Sequence, residues 1–253
     1  MGMPSPLLLL LRCTPPRWRV AVRYHYFRLR KALEHELANI GALIGEGTCA
    51  VDIGANFGNF SYGLLRQGLV VHAFEPQEGV AAGLRALAAN QSRLLVYNCG
   101  LSDGSGEAQL YVPQEGKESI NGWASLRPTA SDHRQLTIPI RTLDSFGLQD
   151  VALVKIDVEG TELAVLRGAT ETIKASKPTL LIEIEERHIG EQTMLEVFHA
   201  IQDLGYAGYF FRNRRLVALK GFCLERDQRA HLERVQRRMP TPSYVNNFIF
   251  LPA

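Results

Sequence analysis

The sequence predicts an α/β domain built around a parallel sheet, and three observations lead there. Short apolar runs alternate with helical segments from residue 49 to residue 204, the pattern of strands joined by crossover helices. The first apolar run ends in a glycine-containing turn that opens a helix, as at the ligand-binding edge of open α/β sheets. The chain has 253 residues, 46% hydrophobic and 21% charged, enough for a large core. No internal repeat or linker divides it.

The elements follow in order. Residues 1–17 contain Pro4, Pro6, Pro15 and Pro16 and are expected to lack regular structure. Between 18 and 44, Leu29, Leu33, Leu37, Ile40 and Ile44 recur at spacings of three and four, one face of a helix. Gly45 and Gly47 end it. Residues 49–54 read as a buried strand, 59–67 as a helix and 70–75 as a strand stopped by Pro76. An alanine-rich helix over 80–90 and a strand over 94–99 come next. Residues 107–113 and 136–141 break the rhythm as a small antiparallel pair, around a polar loop with Asn121, Gly122, Trp123 and Ser125. Alternation then resumes with strands over 151–157, 179–185 and 206–211 and helices over 162–175 and 191–204. A basic helix over 225–238 precedes a final strand over 247–251.

The net charge of +2 hides an uneven distribution. Residues 1–31 hold Arg12, Arg17, Arg19, Arg23, Arg28, Arg30 and Lys31 and no acid, which leaves a mildly acidic body. Bases interleave with Trp18, Tyr24, Tyr26 and Phe27. A membrane surface suits this arm better than nucleic acid, because tryptophan and arginine favour interfaces. A packed helix with a solvated basic face is the plainer alternative. The four cysteines form no C-x-x-C pair, which argues against a zinc ribbon or redox motif. The apolar run at 7–11 is too short for a signal-peptide core or a membrane span. Pro6 stands where a myristoylation signal needs Ser or Thr. Free thiols without an export signal point to the cytoplasm.

The chemistry is concentrated in residues 51–58, VDIGANFG. Gly54 and Gly58 allow close approach of the backbone to a ligand and tolerate positive φ. Asn56 stands where the second glycine of a G-x-G-x-x-G dinucleotide turn would be. Asp52 precedes the turn, and a carboxylate there repels a pyrophosphate but suits a cationic ligand. Glu75 lies 21 residues after Gly54 at the end of the next strand, where an acid can accept both hydroxyls of an adenosine ribose. The alternative is structural, with Asp52 capping a turn and Glu75 a solvated strand end.

These residues resemble the FkbM-type S-adenosylmethionine-dependent methyltransferases. The likeness spans residues 49–253 and rests on segments in order. They are VDIGANFG at 51–58, Phe74-Glu75-Pro76, NCGLSD at 98–103, TLDSF at 142–146 and KIDVEGTE at 155–162. LRGA at 166–169, PTLLIEIE at 178–185 and NFIFLP at 247–252 complete the set. VDIGAN alone is widespread among methyltransferases; its combination with KIDVEGTE is far more specific. The resemblance implies a Rossmann-like sheet of seven mostly parallel strands, helices on both faces, a small β insertion and a late antiparallel strand. It implies S-adenosyl-L-methionine as cofactor, with Gly54, Asn56 and Gly58 under its methionine part and Asp52 favouring its sulfonium side. Glu75 would hold the ribose, and Ser102 and Asp103 the adenine. It divides the chain into a basic arm and helix over 1–44 and a methyltransferase domain over 45–253.

The acceptor side is read from the strand ends. Lys155, Asp157 and Glu159 share one face if the pleat persists, as do Glu183 and Glu185, with His188 just beyond. Charges on buried strands are costly unless paired. Asp157 or His188 can serve as general base for a hydroxyl, with Glu183 beside them. Alternatively Asp157, Glu159 and Glu183 can hold a divalent cation, or the acids form an ion network with Lys155 and Arg187. An organic base is preferred, because the spacing matches no recognised metal motif. The loop with Gly122 and Ser125-Leu126 is expected to cover the acceptor, and Trp123 to stack on a ring of it. The expected activity is O-methylation of a hydroxyl on a sugar, glycan precursor or natural product. The rivals are a dinucleotide-dependent oxidoreductase, disfavoured by Asn56, and a non-catalytic membrane- or nucleic-acid-binding protein on the same fold.

Overall fold

The computed structural model describes residues 6–115, 118–119, 126, 133–237, 239, 241 and 243–253. The expectations placed on Asn121, Gly122, Trp123 and Ser125 lie outside them.

The sequence order of the main strands is β1 (Cys49–Ile53), β2 (Val70–Phe74), β3 (Leu94–Tyr97), then, after three strands of a small sheet and the short β4 (Gly100–Leu101), β8 (Val151–Ile156), β9 (Thr179–Glu183), β10 (Tyr206–Arg212), β11 (Arg215–Ala218) and β12 (Asn247–Pro252). They form one eight-stranded sheet in the order β11-β10-β12-β9-β8-β1-β2-β3. The pairs from β9 through β3 are parallel, and β12 runs antiparallel to β9 and β10. Seven strands were expected, and the eighth is β11. It folds back from β10 with Arg212 opposite Arg215, through Asn213 and Arg214, both at positive φ. Two left-handed residues make the tight turn that a twisted hairpin needs. Arginine in that turn gives no sequence signal.

The small sheet pairs β5 (Gly106–Glu115) with β7 (His133–Arg141) antiparallel, Leu110 opposite Leu136, as expected. β4 and the two-residue β6 (Glu118–Ser119) flank them.

β8 is the centre of the main sheet. All six of its residues are buried, as a strand covered on both faces must be. Its register with β1 runs from Ala50↔Leu153 to Ile53↔Ile156, but Cys49 pairs with Val151, so a bulge leaves Ala152 opposite no residue of β1. One face of the sheet packs Val51, Ile53, Val154, Ile156, Leu180 and Ile182 under the later helices. These are α6 (Glu162–Arg167), α7 (Thr170–Ser176), α8 (Glu186–Ile189) and α9 (Glu191–Asp203). One helix was expected over 162–175. It breaks at Gly168, where a Cβ would stand 2.0 Å from the Ser102 carbonyl oxygen.

The other face carries Ala50, Leu153, Leu181 and Ile249. It is covered by α4 (Asn59–Arg66), α5 (Glu78–Ala88) and the N-terminal segment. That segment departs from the expectation at two places. Residues 6–12 form α1 (Pro6–Arg12), and Pro16 opens α2 (Pro16–Leu29). Proline is tolerated in a first helical turn, where its missing N–H has no partner to lose, so these prolines start helices. The single helix expected over 18–44 is instead α2, α3 (His35–Ala38) and a 3-10 turn at Ile40–Ala42. Lys31 turns the chain at φ 52°, and Leu29 is left 84% exposed. Val20, Tyr24, Leu37, Ile40 and Leu43 nevertheless join the same apolar cluster as β1 and β2.

The helix expected over 225–238 is also broken, into α10 (Leu224–Asp227), a 3-10 turn at Arg229–His231 and α11 (Leu232–Gln236). The cause is a buried polar clamp. Asp227 accepts from Arg212, Arg226 and the Cys223 N–H. Gln228 donates to the carbonyls of Ile184 and Val245, both at 2.8 Å.

Candidate active site

The carboxyl ends of β1, β2, β3 and β8 open onto a cleft, where open α/β sheets bind their ligands. The turn after β1 forms its floor. The N–H groups of Gly54 and Ala55 both donate to the Phe74 carbonyl at 3.0 Å. Gly54 has φ +76°, and a Cβ there would stand 1.8 Å from the Asp157 carbonyl oxygen, so only glycine fits between β1 and β8. Asn56 sits in the cleft at φ 49°. Gly58 lies outside the cleft lining. At φ +82° it begins α4, and its missing side chain makes room for Leu84 and Val20.

Glu75 is 3% exposed and lines the cleft. Its two carboxylate oxygens accept the backbone N–H groups of Asn56 and Gln77, at 2.9 and 2.8 Å. Burial raises its pKa to about 7 against the pull of those two donors. Asn98 fixes the bend by donating to the carbonyls of Glu75 and Pro76. Asp52 lies beneath the turn, 1% exposed, and accepts the Ser61 hydroxyl of α4 at 2.5 Å. Burial pushes its carboxyl up, opposed by Ser61 and Lys155. Ser102 and Asp103 do not line the cleft. Cys99, Gly100 and Leu101, just before them, do, with Leu110, Leu126 and Ile138 from the small-sheet region. Leu126 belongs to the loop expected to cover the acceptor; Leu110, Ile138 and Thr161 were missed in the sequence.

Acids from two strands meet at the other end of the cleft. Asp157 and Glu159 line it, and their oxygens lie within 4.8 Å of each other and of a Glu183 oxygen. Lys155, 1% exposed, places its ammonium 3.0 Å from Asp157. Burial works to lower its pKa, but Asp157, Glu183, Glu34 and Asp52 raise it on balance. Glu183 is pushed well above the ordinary carboxylate range by burial beside Asp157 and Glu159. It accepts from Asn246 at 2.9 Å. Burial also raises Glu159, which lies 2.9 Å from the His188 ring. His188 itself lies outside the cleft lining. Burial alone would raise Glu185, but Arg187 and the Tyr244 hydroxyl, at 2.5 Å, hold it down at about 2. The site therefore joins Asp157, Glu159, Glu183 and His188 in one network, with Lys155 and Arg187 as its cations.

A family model described as the methyltransferase FkbM domain matches residues 52–210. The chain belongs to the FkbM methyltransferase family. The match begins at Asp52 and takes in the glycine turn, Glu75 and the acids after β8 and β9. No curated protein matches the chain. Among solved structures it is similar to the methyltransferase FkbM from Methylobacillus flagellatus, with 16% identity and a TM-score of 0.51 over 96% of this chain. This chain spans only 57% of that structure's length. A precorrin-6y C5,15-methyltransferase from Geobacter metallireducens shares 9% identity over 86% of each chain, with a TM-score of 0.46. These likenesses are of fold.

The family's cofactor is S-adenosylmethionine, and the cleft suits it. Asn56 Oδ1 and Thr161 Oγ1 are buried with no hydrogen-bond partner among the described residues, and both residues line the cleft. Buried polar groups are rarely left unmatched without a ligand or water to complete them. Glu75 supplies a buried acceptor and Asp157 with Glu159 a negative end, as a ribose and a cationic sulfonium require.

Proposed function

We propose that the protein transfers a methyl group from S-adenosylmethionine to a hydroxyl of a sugar, glycan precursor or natural product. The observation that carries this reading is the placement of Asp157 and Glu159 at one end of a cleft whose other parts suit the cofactor. When bound, S-adenosylmethionine supplies an electrophilic methyl on a sulfonium that leaves as a thioether.

The protein's part is positioning and proton removal. Glu75 accepts the ribose hydroxyls through lone pairs left over from Asn56 and Gln77. Asn56 and Gly54 form the floor below the methionine part. Asp157 takes the acceptor's proton as its oxygen attacks. The Lys155 ammonium, 3.0 Å away, keeps Asp157 oriented. Glu183, its carboxyl raised by burial, lies beside Asp157 and Glu159, and His188 positions Glu159. An ammonium already 3.0 Å from Asp157 offers the counter-charge that a divalent ion would bring, so an organic base is favoured here over metal.

Isothermal titration tests the cofactor: absence of binding by S-adenosylmethionine and S-adenosylhomocysteine refutes this reading. Asp157→Asn is expected to keep that binding and lower turnover at least about 100-fold. Normal turnover would remove Asp157 from the role.

The N-terminal arm favours contact with an anionic membrane surface. Leu9 and Leu10 of α1 are 51% and 44% exposed, and Trp18 of α2 55%, beside Arg12, Arg17 and Arg19. Apolar side chains next to bases match an interfacial segment. Among the described residues no helix is long and apolar enough to cross a membrane.

A further inference from the structure

A second concavity opens on the face of the sheet that carries the N-terminal segment. Its lining includes Arg28, Lys31, Glu34, Arg214, Asn246 and Asn247. Four features set it apart. The first is its connection to the acids of the cleft. Asn247 pairs with Glu183 across β12 and β9, and Asn246 donates to Glu183 at 2.9 Å. The floor of the groove therefore lies one hydrogen bond from the cluster that contains Asp157.

The second is charge. Among the described residues Arg28, Lys31 and Arg214 have no carboxylate within 4.0 Å, and all three are exposed. The third is the backbone. Lys31, Asn213 and Arg214, which turn the chain at positive φ, all line this groove.

The fourth is Glu34, from the segment outside the family match. The residue is exposed and lines the groove. Asn247 donates to it at 3.3 Å. It offers an acceptor for hydroxyls near Asp157 and Lys155, both of which act on it electrostatically.

We propose that this groove binds the methyl acceptor, and that the acceptor carries a phosphate or carboxylate as well as its reactive hydroxyl. Its reactive hydroxyl reaches Asp157, its other hydroxyls lie against Glu34, Asn246 and Asn247, and the anion is held by Arg28, Lys31 and Arg214. This rests on the methyltransferase reading for the word acceptor, but not for the binding of anions.

The test titrates glucose 1-phosphate, glucuronate, inorganic phosphate and glucose into the full chain saturated with S-adenosylhomocysteine. Wild type is expected to bind at least one anionic sugar about tenfold or more tighter than glucose, and the two sugars separate phosphate from carboxylate. Lys31→Ala with Arg214→Ala should abolish the preference while S-adenosylhomocysteine binding stays unchanged, which also shows that the variant is folded. Lys31→Arg with Arg214→Lys should keep it. Equal affinity for charged and neutral sugars overturns the inference. So does a preference that survives the alanine pair, or no binding of any anionic probe at millimolar concentration. If S-adenosylhomocysteine fails to bind but the anionic preference is present, the methyltransferase reading falls and the groove stands only as an anion site.

Discussion

Acidification should weaken cofactor binding, with Glu75 as the cause. Its carboxyl is raised from 4.5 to about 7 by burial, so near neutrality a proton competes with the ribose hydroxyls for its oxygens. If only the ionised form binds, affinity falls about tenfold per pH unit below 7, which is about 1.4 kcal/mol each. S-adenosylhomocysteine should thus bind about tenfold more weakly at pH 6 than at pH 8, and about 100-fold more weakly at pH 5. Calorimetric titration of wild type and Glu75→Gln at pH 5, 6, 7 and 8 measures this. The glutamine variant should bind weakly and show no such slope, because one carboxylate oxygen becomes an NH₂ facing the N–H of Asn56 or Gln77. A flat wild-type profile, or the same slope in the variant, refutes the argument.

Three further outcomes are expected. Gly54→Ala should remove S-adenosylhomocysteine binding and cost about 3 kcal/mol or more in denaturant unfolding, since its Cβ would overlap the Asp157 carbonyl. Glu162, 3% exposed, is raised to about 7 by burial. A raised acid stabilises fully below its unfolded value of 4.5, and that stability is lost as pH rises through 7. Wild type should therefore lose up to about 3 kcal/mol between pH 5 and 8 that Glu162→Gln does not, as read by urea melts at both pH values. In sedimentation with phosphatidylserine vesicles, Leu9→Glu with Trp18→Glu should abolish pelleting, and added salt should reduce it for wild type. Pelleting unchanged by either would argue for a merely solvated arm.

The parts legible in the sequence were those set by local chemistry. Gly54, Asn56 and Glu75 declared themselves through a strand, a turn and a fixed offset, and the structure brings all three to one cleft. Asp157 and Glu183 were visible as charges where apolar residues belong. The N-terminal helices were misjudged because a periodic pattern continued through a break, and because prolines were taken as breakers where they begin helices. β11 was missed because Arg214 gives no turn signal. Glu34 could not be found from its neighbours. It gains meaning only beside Asn247, 213 residues away in the chain.

The bulge at Ala152 has a reach beyond its own strand. It sets the register of β8 against β1, which then holds to Ile53↔Ile156 and lets the Asp157 N–H donate to the Ile53 carbonyl at 3.0 Å. Deleting that single small residue would close the bulge, so that Val151 and Leu153 follow one another opposite Cys49 and Ala50 and the functional end of β8 keeps its register. An extra residue directly after Leu153 would instead shift that end by one place and turn Lys155 and Asp157 to the opposite side. The bulge thus absorbs a change of length about 13 Å from the turn at Gly54, counted along four strand residues. Loss of Ala152 should spare the site, whereas indels after Leu153 should behave genetically like losses of the active site itself.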